Sequence, residues 1–305
     1  MSGTVYSAAD ILSGGELLTA LTPPARLSVV GDPVAHSKSP VFHNAALQAA
    51  GIAARYVKIH VRPAELPATL RALPAAGFLG TNVTIPHKAG ALATVDEADD
   101  YARKSGAVNT VMVDAGHLVG FNTDGPGLLR AIREEFAADL RDLRVMILGA
   151  GGGAGRAIAV QCAMENCPRL VLVNRTAEKV TALASELAPF FHRGPADRIV
   201  AIPHDVQSLR KELARIDLVI NATSVGMKET DDPLVPASLL TPNLLVYDTV
   251  YASGTSRLVA DAAAAGARAA NGLSMLLHQG ALSFEIWFQR PAPLDIMRAA
   301  LLSVS

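Results

Sequence analysis

Three short segments, Asn82-Val83-Thr84-Ile85-Pro86-His87-Lys88, Gly106-Ala107-Val108-Asn109-Thr110 and Asn122-Thr123-Asp124-Gly125, gather a lysine, a carboxylate, hydroxyls and amides in one stretch of chain. Such groups suit holding a polyhydroxylated acid and moving one proton on it. An ammonium stabilises a developing oxyanion and can release its proton to it. A carboxylate beside that ammonium holds it in place and keeps it charged until the proton leaves. Lys88 and Asp124 fit these two roles. Taken singly, Lys88 reads more readily as a surface lysine after Pro86, and Asp124 as an N-cap for a helix opening at Gly125. Upstream, Ser37 and Ser39 lie in Gly31-Asp32-Pro33-Val34-Ala35-His36-Ser37-Lys38-Ser39-Pro40, a loop entering a helix. There, hydroxyls and unpaired backbone N–H groups can receive a carboxylate. Ser39 before Pro40 also suits an N-cap followed by proline at the first helical position, which leaves Ser37 unexplained.

Further on, Gly149-Ala150-Gly151-Gly152-Gly153-Ala154-Gly155 follows an apolar strand pattern and precedes a helical one. Glycines in that context let the backbone approach a pyrophosphate, and the helix amino terminus offers unpaired N–H groups. The next strand ends Val173-Asn174-Arg175-Thr176, without the Asp or Glu expected to meet the ribose 2′-hydroxyl of NAD. Arg175 can instead pair with a 2′-phosphate and stack on adenine, with Thr176 adding a hydroxyl. The expected cofactor is NADP.

These loops need elements to carry them. Half of the 305 residues are hydrophobic and 18% are charged, enough for a substantial core and two domains of ordinary size. The net charge of −1 gives no basic excess for nucleic acid and no polybasic run for a membrane surface. Cys162 and Cys167, in an expected helix, lack nearby His or Cys partners, so neither a metal site nor a disulfide framework is expected. The amino terminus has no basic segment followed by an apolar run, and glycines and Arg156 break the apolar run 143–163. The expectation is a soluble, cytoplasmic protein.

Residues 1 to about 25 read as an amphipathic prelude, with Ile11, Leu17, Leu18 and Leu21 on one helical face. Strand patterns follow at 27–30 and 56–61, helical ones at 40–50 and 63–76, and a hairpin at 108–113 and 118–121 around Asp114-Ala115-Gly116. After Asp124, strands at 144–148, 170–173, 199–202, 218–221 and 245–247 alternate with helices, a βαβ series implying a parallel sheet covered on both faces. The alanine-rich run 262–270 reads as helical, and a long helix is expected at 273–289.

In order and spacing these segments resemble shikimate dehydrogenases, as do 220–227 (Ile-Asn-Ala-Thr-Ser-Val-Gly-Met), Tyr247-Asp248-Thr249-Val250-Tyr251 and 272–280. The resemblance implies a two-domain α/β fold: an N-terminal α/β substrate domain and a Rossmann-type NADP-binding domain, with the C-terminal helix returning to the first. The expected domains are 27–123 plus 271–305 and 124–270, with 1–26 as an extension. It implies reversible reduction of 3-dehydroshikimate to shikimate by NADPH, in aromatic amino-acid biosynthesis, with Lys88 and Asp124 as the proton-transfer pair. By the same resemblance Ser37 and Ser39 bind the substrate carboxylate, and Thr84, Asn109, Tyr251 and Gln279 help hold the substrate. Gly149, Gly151, Gly152, Gly153, Ala154, Asn174, Arg175, Thr176, Thr223, Thr249, Gly272 and Met275 are then the cofactor residues. No metal is implied. The glycine loop carries one glycine more than the usual family pattern, leaving open which of Gly151, Gly152 and Gly153 faces the pyrophosphate. Quinate/shikimate dehydrogenases of dual specificity are the nearest alternative, a non-catalytic shikimate- and nucleotide-sensing protein one of another class, and an unrelated NADP enzyme of the same two-domain plan, which would not need Ser37 and Ser39, a third. The oligomeric state stays open, a homodimer included.

Overall fold

The structure, a computed structural model, describes residues 4–191, 198–226, 230–251 and 255–304. Met227, in the family-like segment 220–227, and residues 1–3 of the expected extension lie outside the described residues. The chain forms two compact units, Met1–Thr123 with Gln279–Ser305, and Asp124–His278. The second unit thus continues through His278, beyond the return point of 271 expected from the sequence.

The first unit is built on a seven-stranded sheet. Its strands are β1 (Val5–Ser7), β2 (Ala25–Gly31), β3 (Arg55–His60), β4 (Gly80–Val83), β5 (Glu97–Ala98), β6 (Thr110–Asp114) and β7 (His117–Phe121), in the order β1-β3-β2-β4-β6-β7-β5. β1, β3, β2 and β4 run parallel, and β6 is antiparallel to β4 and β7. The prelude is therefore part of the sheet, since β1 pairs with β3, and its expected single helix is two short ones, Ala8–Leu12 and Glu16–Thr19. Three residues of strand carry too little alternation to register against the surrounding helical spacing. The β6–β7 hairpin turns at Ala115 and Gly116, both with positive φ (47° and 87°), as a two-residue hairpin loop requires. The helix expected at 63–76 is a single 3-10 turn, Pro63–Glu65, and a shorter α-helix, Leu66–Ala72.

The second unit holds six parallel strands: β8 (Arg144–Leu148), β9 (Arg169–Asn174), β10 (Ile199–Pro203), β11 (Leu218–Asn221), β12 (Leu245–Asp248) and β13 (Arg268–Asn271). Their order, β10-β9-β8-β11-β12-β13, is the 3-2-1-4-5-6 of a Rossmann sheet. Most residues of β8, β9 and β11 are buried, as strands covered on both faces must be. The alanine-rich run is helical only to Ala264: Gly266 adopts φ 80°, and β13 follows. A left-handed glycine is the common way to stop a helix, and here it overrides the local helix propensity of alanine. Cys162 lies in the helix Gly153–Met164, but Cys167 follows its end, past Asn166 at φ 56°. The Cys167 N–H donates to the Cys162 carbonyl at 3.1 Å, the bond that closes a Schellman turn. Both thiols are free and buried, and burial raises the pKa of each. Among the described residues no helix is long and apolar enough to cross a membrane.

Candidate active site

In the first unit Ser37, Ser39, Thr84 and Lys88 lie on or at the ends of loops after the carboxyl ends of β2 and β4, where ligands sit in open α/β sheets, with Asn109 directly ahead of β6. Hydrogen bonds lock these loops together. The Asp32 N–H donates to the Ile85 carbonyl (3.1 Å), Thr84 N–H to Val30 (2.9 Å) and Val61 N–H to Gly31 (3.2 Å). His87, buried, bonds the Val61 carbonyl through Nε2 at 2.6 Å. A Cβ on Gly31 would come close to the Thr84 methyl group, so glycine there lets the serine loop and the Thr84–Lys88 loop touch. Lys88 opens the helix Lys88–Leu92 and is half-buried, and its carbonyl accepts from the Val108 N–H at 3.0 Å.

The serine loop runs into the helix Ser39–Ala49. Ser37 Oγ accepts from the Ser39 N–H at 3.3 Å. Ser37 is thus a local backbone ligand as well as a candidate carboxylate donor. Ser39 is buried, and its side chain bonds the Tyr56 hydroxyl. Burial raises the Tyr56 pKa well above its ordinary value, an effect the Ser39 bond partly offsets. Tyr56 also donates to Asn82 Oδ1 at 2.7 Å. Asn82 Nδ2 in turn donates to the Asn109 carbonyl (3.2 Å), Thr110 Oγ1 (3.0 Å) and Ser283 Oγ (2.9 Å). Asn109 Nδ2 donates to Thr123 Oγ1 at 2.9 Å, and its Oδ1 accepts the Thr123 N–H at 2.8 Å. All of these side chains are buried. Asn109, expected to hold substrate, therefore also fixes the residue directly before Asp124. Gln279 stands on the helix Leu273–Phe288, its carbonyl accepting from Ser283 Oγ at 3.0 Å. The next residue, Gly280, has no room for a side chain against Phe42.

In the second unit, Asp124 is the buried first residue of the helix Asp124–Phe136. Tyr251, from the chain after β12, has a pKa raised first by burial and then by the Asp124 carboxylate. The glycine loop leaves β8 at Gly149, with φ 82° and its N–H on the Val173 carbonyl at 2.8 Å. A Cβ there would collide with the Thr223 methyl group, and one on Gly155 with the Gly149 carbonyl oxygen. Gly155, assigned no role from the sequence, thus allows the close helix–strand packing that the third glycine of such loops provides. A Cβ on Gly151 would press on Asn174 and Lys179, whereas Gly153 faces open space. Gly152, Gly153 and Ala154 are exposed at the start of the helix Gly153–Met164. The extra glycine therefore adds accessible backbone at a helix amino end and meets no packing constraint. That arrangement fits a pyrophosphate.

Asn174 Nδ2 donates to the Thr176 carbonyl at 3.1 Å and shapes the turn that presents Arg175. Arg175 and Thr176 are exposed, and no carboxylate pairs with Arg175 among the described residues. Lys179, exposed in the first turn of the helix Ala177–Leu187, adds a second cation beside this turn. The sequence reading passed over it, although a basic residue four positions after Arg175 on a helix was the available signal. The surroundings fit a 2′-phosphate. At the carboxyl end of β11, Thr223 caps the chain through Asn221 Oδ1 (N–H 2.9 Å, hydroxyl 2.7 Å). Asn221 Nδ2 donates to Asp248 Oδ1 at 2.8 Å, and Asp248 also accepts from Ser256 at 2.6 Å. Burial raises the Asp248 pKa, and these bonds offset part of the rise. A Cβ on Gly272 would collide with the Thr249 carbonyl. The Met275 N–H donates to the Tyr247 hydroxyl at 3.0 Å, so Met275 is placed by hydrogen bonding and is half-buried rather than core.

Comparison with known proteins agrees with this geometry. Residues 29–111 match the shikimate dehydrogenase substrate binding domain, 131–230 the shikimate / quinate 5-dehydrogenase family, and 272–302 the shikimate 5′-dehydrogenase C-terminal domain. A shikimate dehydrogenase (NADP(+)) of Methanopyrus kandleri is 41% identical over 90% of this chain and 94% of its own. The crystal structure of shikimate 5-dehydrogenase from Thermus thermophilus in complex with NADP(H) and shikimate superposes with a TM-score of 0.80. It is 34% identical and covers 92% of this chain and 99% of its own. A quinate dehydrogenase from Corynebacterium glutamicum in complex with NAD superposes with a TM-score of 0.81 at 29% identity, covering 91% of this chain and 98% of its own. Identity of this extent over nearly the whole chain, on a six-stranded Rossmann sheet and an interlocked serine–lysine loop pair, establishes that the chain belongs to the shikimate dehydrogenase family.

Proposed function

We propose that this protein is an NADP-dependent shikimate dehydrogenase, catalysing the reversible reduction of 3-dehydroshikimate to shikimate. The observation that carries the cofactor choice is Arg175: an exposed guanidinium without a carboxylate partner among the described residues, at a strand end that offers no acid to a ribose 2′-hydroxyl. Gly149, Gly151, Gly152, Gly153 and Ala154 hold the pyrophosphate. Asn174, Arg175, Thr176 and Lys179 hold the adenosine end, and Thr223, Thr249, Gly272 and Met275 line the nicotinamide. Bound there, the nicotinamide supplies the hydride.

The chain's own residues do the rest. Ser37 and Ser39 receive the substrate carboxylate, while Thr84, Asn109, Tyr251 and Gln279 hold the remaining oxygens. Lys88 keeps its ammonium against the reacting oxygen, stabilises the alkoxide as it forms and gives up the proton. Asp124 orients Lys88 and a substrate hydroxyl. In the oxidative direction the same groups act in reverse.

Initial rates of nicotinamide reduction, with shikimate and quinate each paired with NADP⁺ and NAD⁺, test this reading. Turnover confined to shikimate with NADP⁺ is expected. Equal or faster turnover of quinate would assign the chain to the dual-specificity enzymes, equal use of NAD⁺ would remove the role given to Arg175, and binding without turnover in every pair would make it a sensor.

A further inference from the structure

Lys58 stands in the middle of β3, where a charge is unexpected, and is 8% exposed. Its ammonium donates to the Ala35 carbonyl at 2.5 Å, and no carboxylate pairs with it among the described residues. Burial lowers its pKa. Alternate residues of a strand share a face, which puts Lys58 between Tyr56, bonded to Ser39, and His60, bonded to Asp32 at 2.8 Å. The register sets Lys58 beside Val29 and His60 beside Gly31. Three successive side chains on one face of β3 thus reach the same loop, at Asp32, Ala35 and Ser39. Tyr56 and His60 meet polar side chains there. Lys58 meets a carbonyl dipole, and no carboxylate among the described residues pairs with its charge.

A partly covered ammonium with no carboxylate partner among the described residues projects a positive potential over the loop that favours an anion bound nearby. Building on the shikimate reading above, we infer that Lys58 is the electrostatic half of the carboxylate receptor: Ser37 and Ser39 supply the hydrogen bonds, and Lys58, from beneath the loop, supplies the balancing charge. Ala35 is two residues from Ser37, a Cα path of at most about 7.6 Å, so the ammonium and the Ser37 hydroxyl lie on the order of 10 Å apart. Lys58 is a positioning and specificity residue, acting through the loop and through space. It favours a substrate that carries a carboxylate over an otherwise identical neutral one.

The test compares the full-length protein with Lys58→Gln, which keeps a donor for the Ala35 carbonyl, and Lys58→Met, which keeps only the chain length. Shikimate and its methyl ester are oxidised with saturating NADP⁺. Both variants should raise KM for shikimate roughly tenfold, as expected for unit charges about 10 Å apart at an effective dielectric of about 20. The kcat should stay within about twofold and KM for the ester should not move. Lys58→Arg should restore the KM for shikimate, and thermal midpoints of the Gln and Met variants should be unchanged or higher, since a covered charge is removed. An unchanged KM for shikimate in both variants overturns the inference. So does an equal loss for acid and ester, which would reduce Lys58 to a prop for the loop. Wild-type protein that fails to oxidise shikimate overturns the functional reading itself, and the receptor with it.

Discussion

The two units hold their candidate groups in opposite ways. In the first, the polar side chains are buried and bonded to one another: Tyr56, Asn82, Asn109, Thr110, Thr123 and Ser283 form one network, and Ser39 joins it through Tyr56. In the second, the groups proposed for the pyrophosphate and adenosine end are accessible backbone at Gly152, Gly153 and Ala154 and exposed side chains at Arg175, Thr176 and Lys179, while Thr223 and Met275 are set by buried partners, Asn221 and Tyr247. A substrate distinguished by the placement of its hydroxyls calls for fixed partners. A dinucleotide is recognised by charge and by backbone N–H groups, for which a helix end suffices. Substitutions in the buried network of the first unit should therefore be coupled to one another, and those at the exposed glycine loop and the Arg175 turn of the second should act singly.

The largest expected effect is at Lys88. Lys88→Ala removes the proposed proton donor and should lower kcat by about 10²–10⁴-fold with little change in NADP⁺ affinity, measured by fluorescence titration. Near-normal turnover would sink the lysine assignment. Next is Asn82→Ala, which deletes the centre of the buried network and leaves partners at Tyr56, Thr110 and Ser283 short of a bond. A loss of about 2–4 kcal/mol in urea unfolding is expected. Combined with Ser283→Ala, it should cost less than the sum of the single changes, by about 0.5 kcal/mol or more. Strict additivity would break the contrast drawn between the units.

Little of that network was visible in the sequence. Asn82 and Ser283 are separated by 201 positions, and neither local spacing nor periodicity links residues so far apart. Lys58 was hidden similarly, as one cation in an alternating strand whose partner is a backbone carbonyl on a loop. The second unit was more legible because its signals are local. β8 and β11 have the bounds their apolar runs suggest, and the glycine loop and Arg175 sit directly at strand ends. Where local propensity misled, at the alanine-rich run before Asn271, a left-handed glycine and pairing with β12 decided the outcome. Local chemistry reads out of a sequence, and long-range pairing needs the fold.

The packed first unit also has an acid weakness. His43 is fully buried, stacks on Tyr56 at a centroid distance of 4.4 Å, and neither ring nitrogen has a hydrogen-bond partner. Burial lowers its pKa to about 3, from 6.5. The folded state therefore excludes a proton that the unfolded chain takes up below pH 6.5, and the stability is present above that value and lost as pH falls toward 3. The slope is about 1.4 kcal/mol per pH unit within this window. His43→Phe removes the titrating group, so its unfolding free energy should fall about 2 kcal/mol less than that of the wild type between pH 7 and pH 5. Parallel pH profiles for the two proteins would show that His43 does not titrate as described.

In the second unit, Arg175→Ala should weaken NADP⁺ binding, measured by fluorescence titration, about 10- to 100-fold, the scale of lost hydrogen bonds to a charged group, and leave the weaker binding of NAD⁺ and the KM for shikimate alone. Equal losses with both nucleotides would mean that the residue shapes the turn and does not read the phosphate.

The smallest effect, and the sharpest test of an accessible cofactor loop, is at Gly153, one of the three glycines among which the additional one falls. Gly153 begins a helix, has no positive φ, and a Cβ there would meet nothing within 4 Å. Gly153→Ala should therefore stabilise the protein by about 0.4–1 kcal/mol by restricting the unfolded chain. The same change at Gly155, where a Cβ would collide with the Gly149 carbonyl, should instead destabilise it. What Gly153→Ala does to NADP⁺ decides the role of the residue. If the pyrophosphate approaches the backbone at Gly153, the new methyl group stands in its way and KM rises while stability improves. If the approach is at Gly151 or Gly152, both stability and KM improve or hold, and Gly153 is a spacer whose only effect is to loosen the loop.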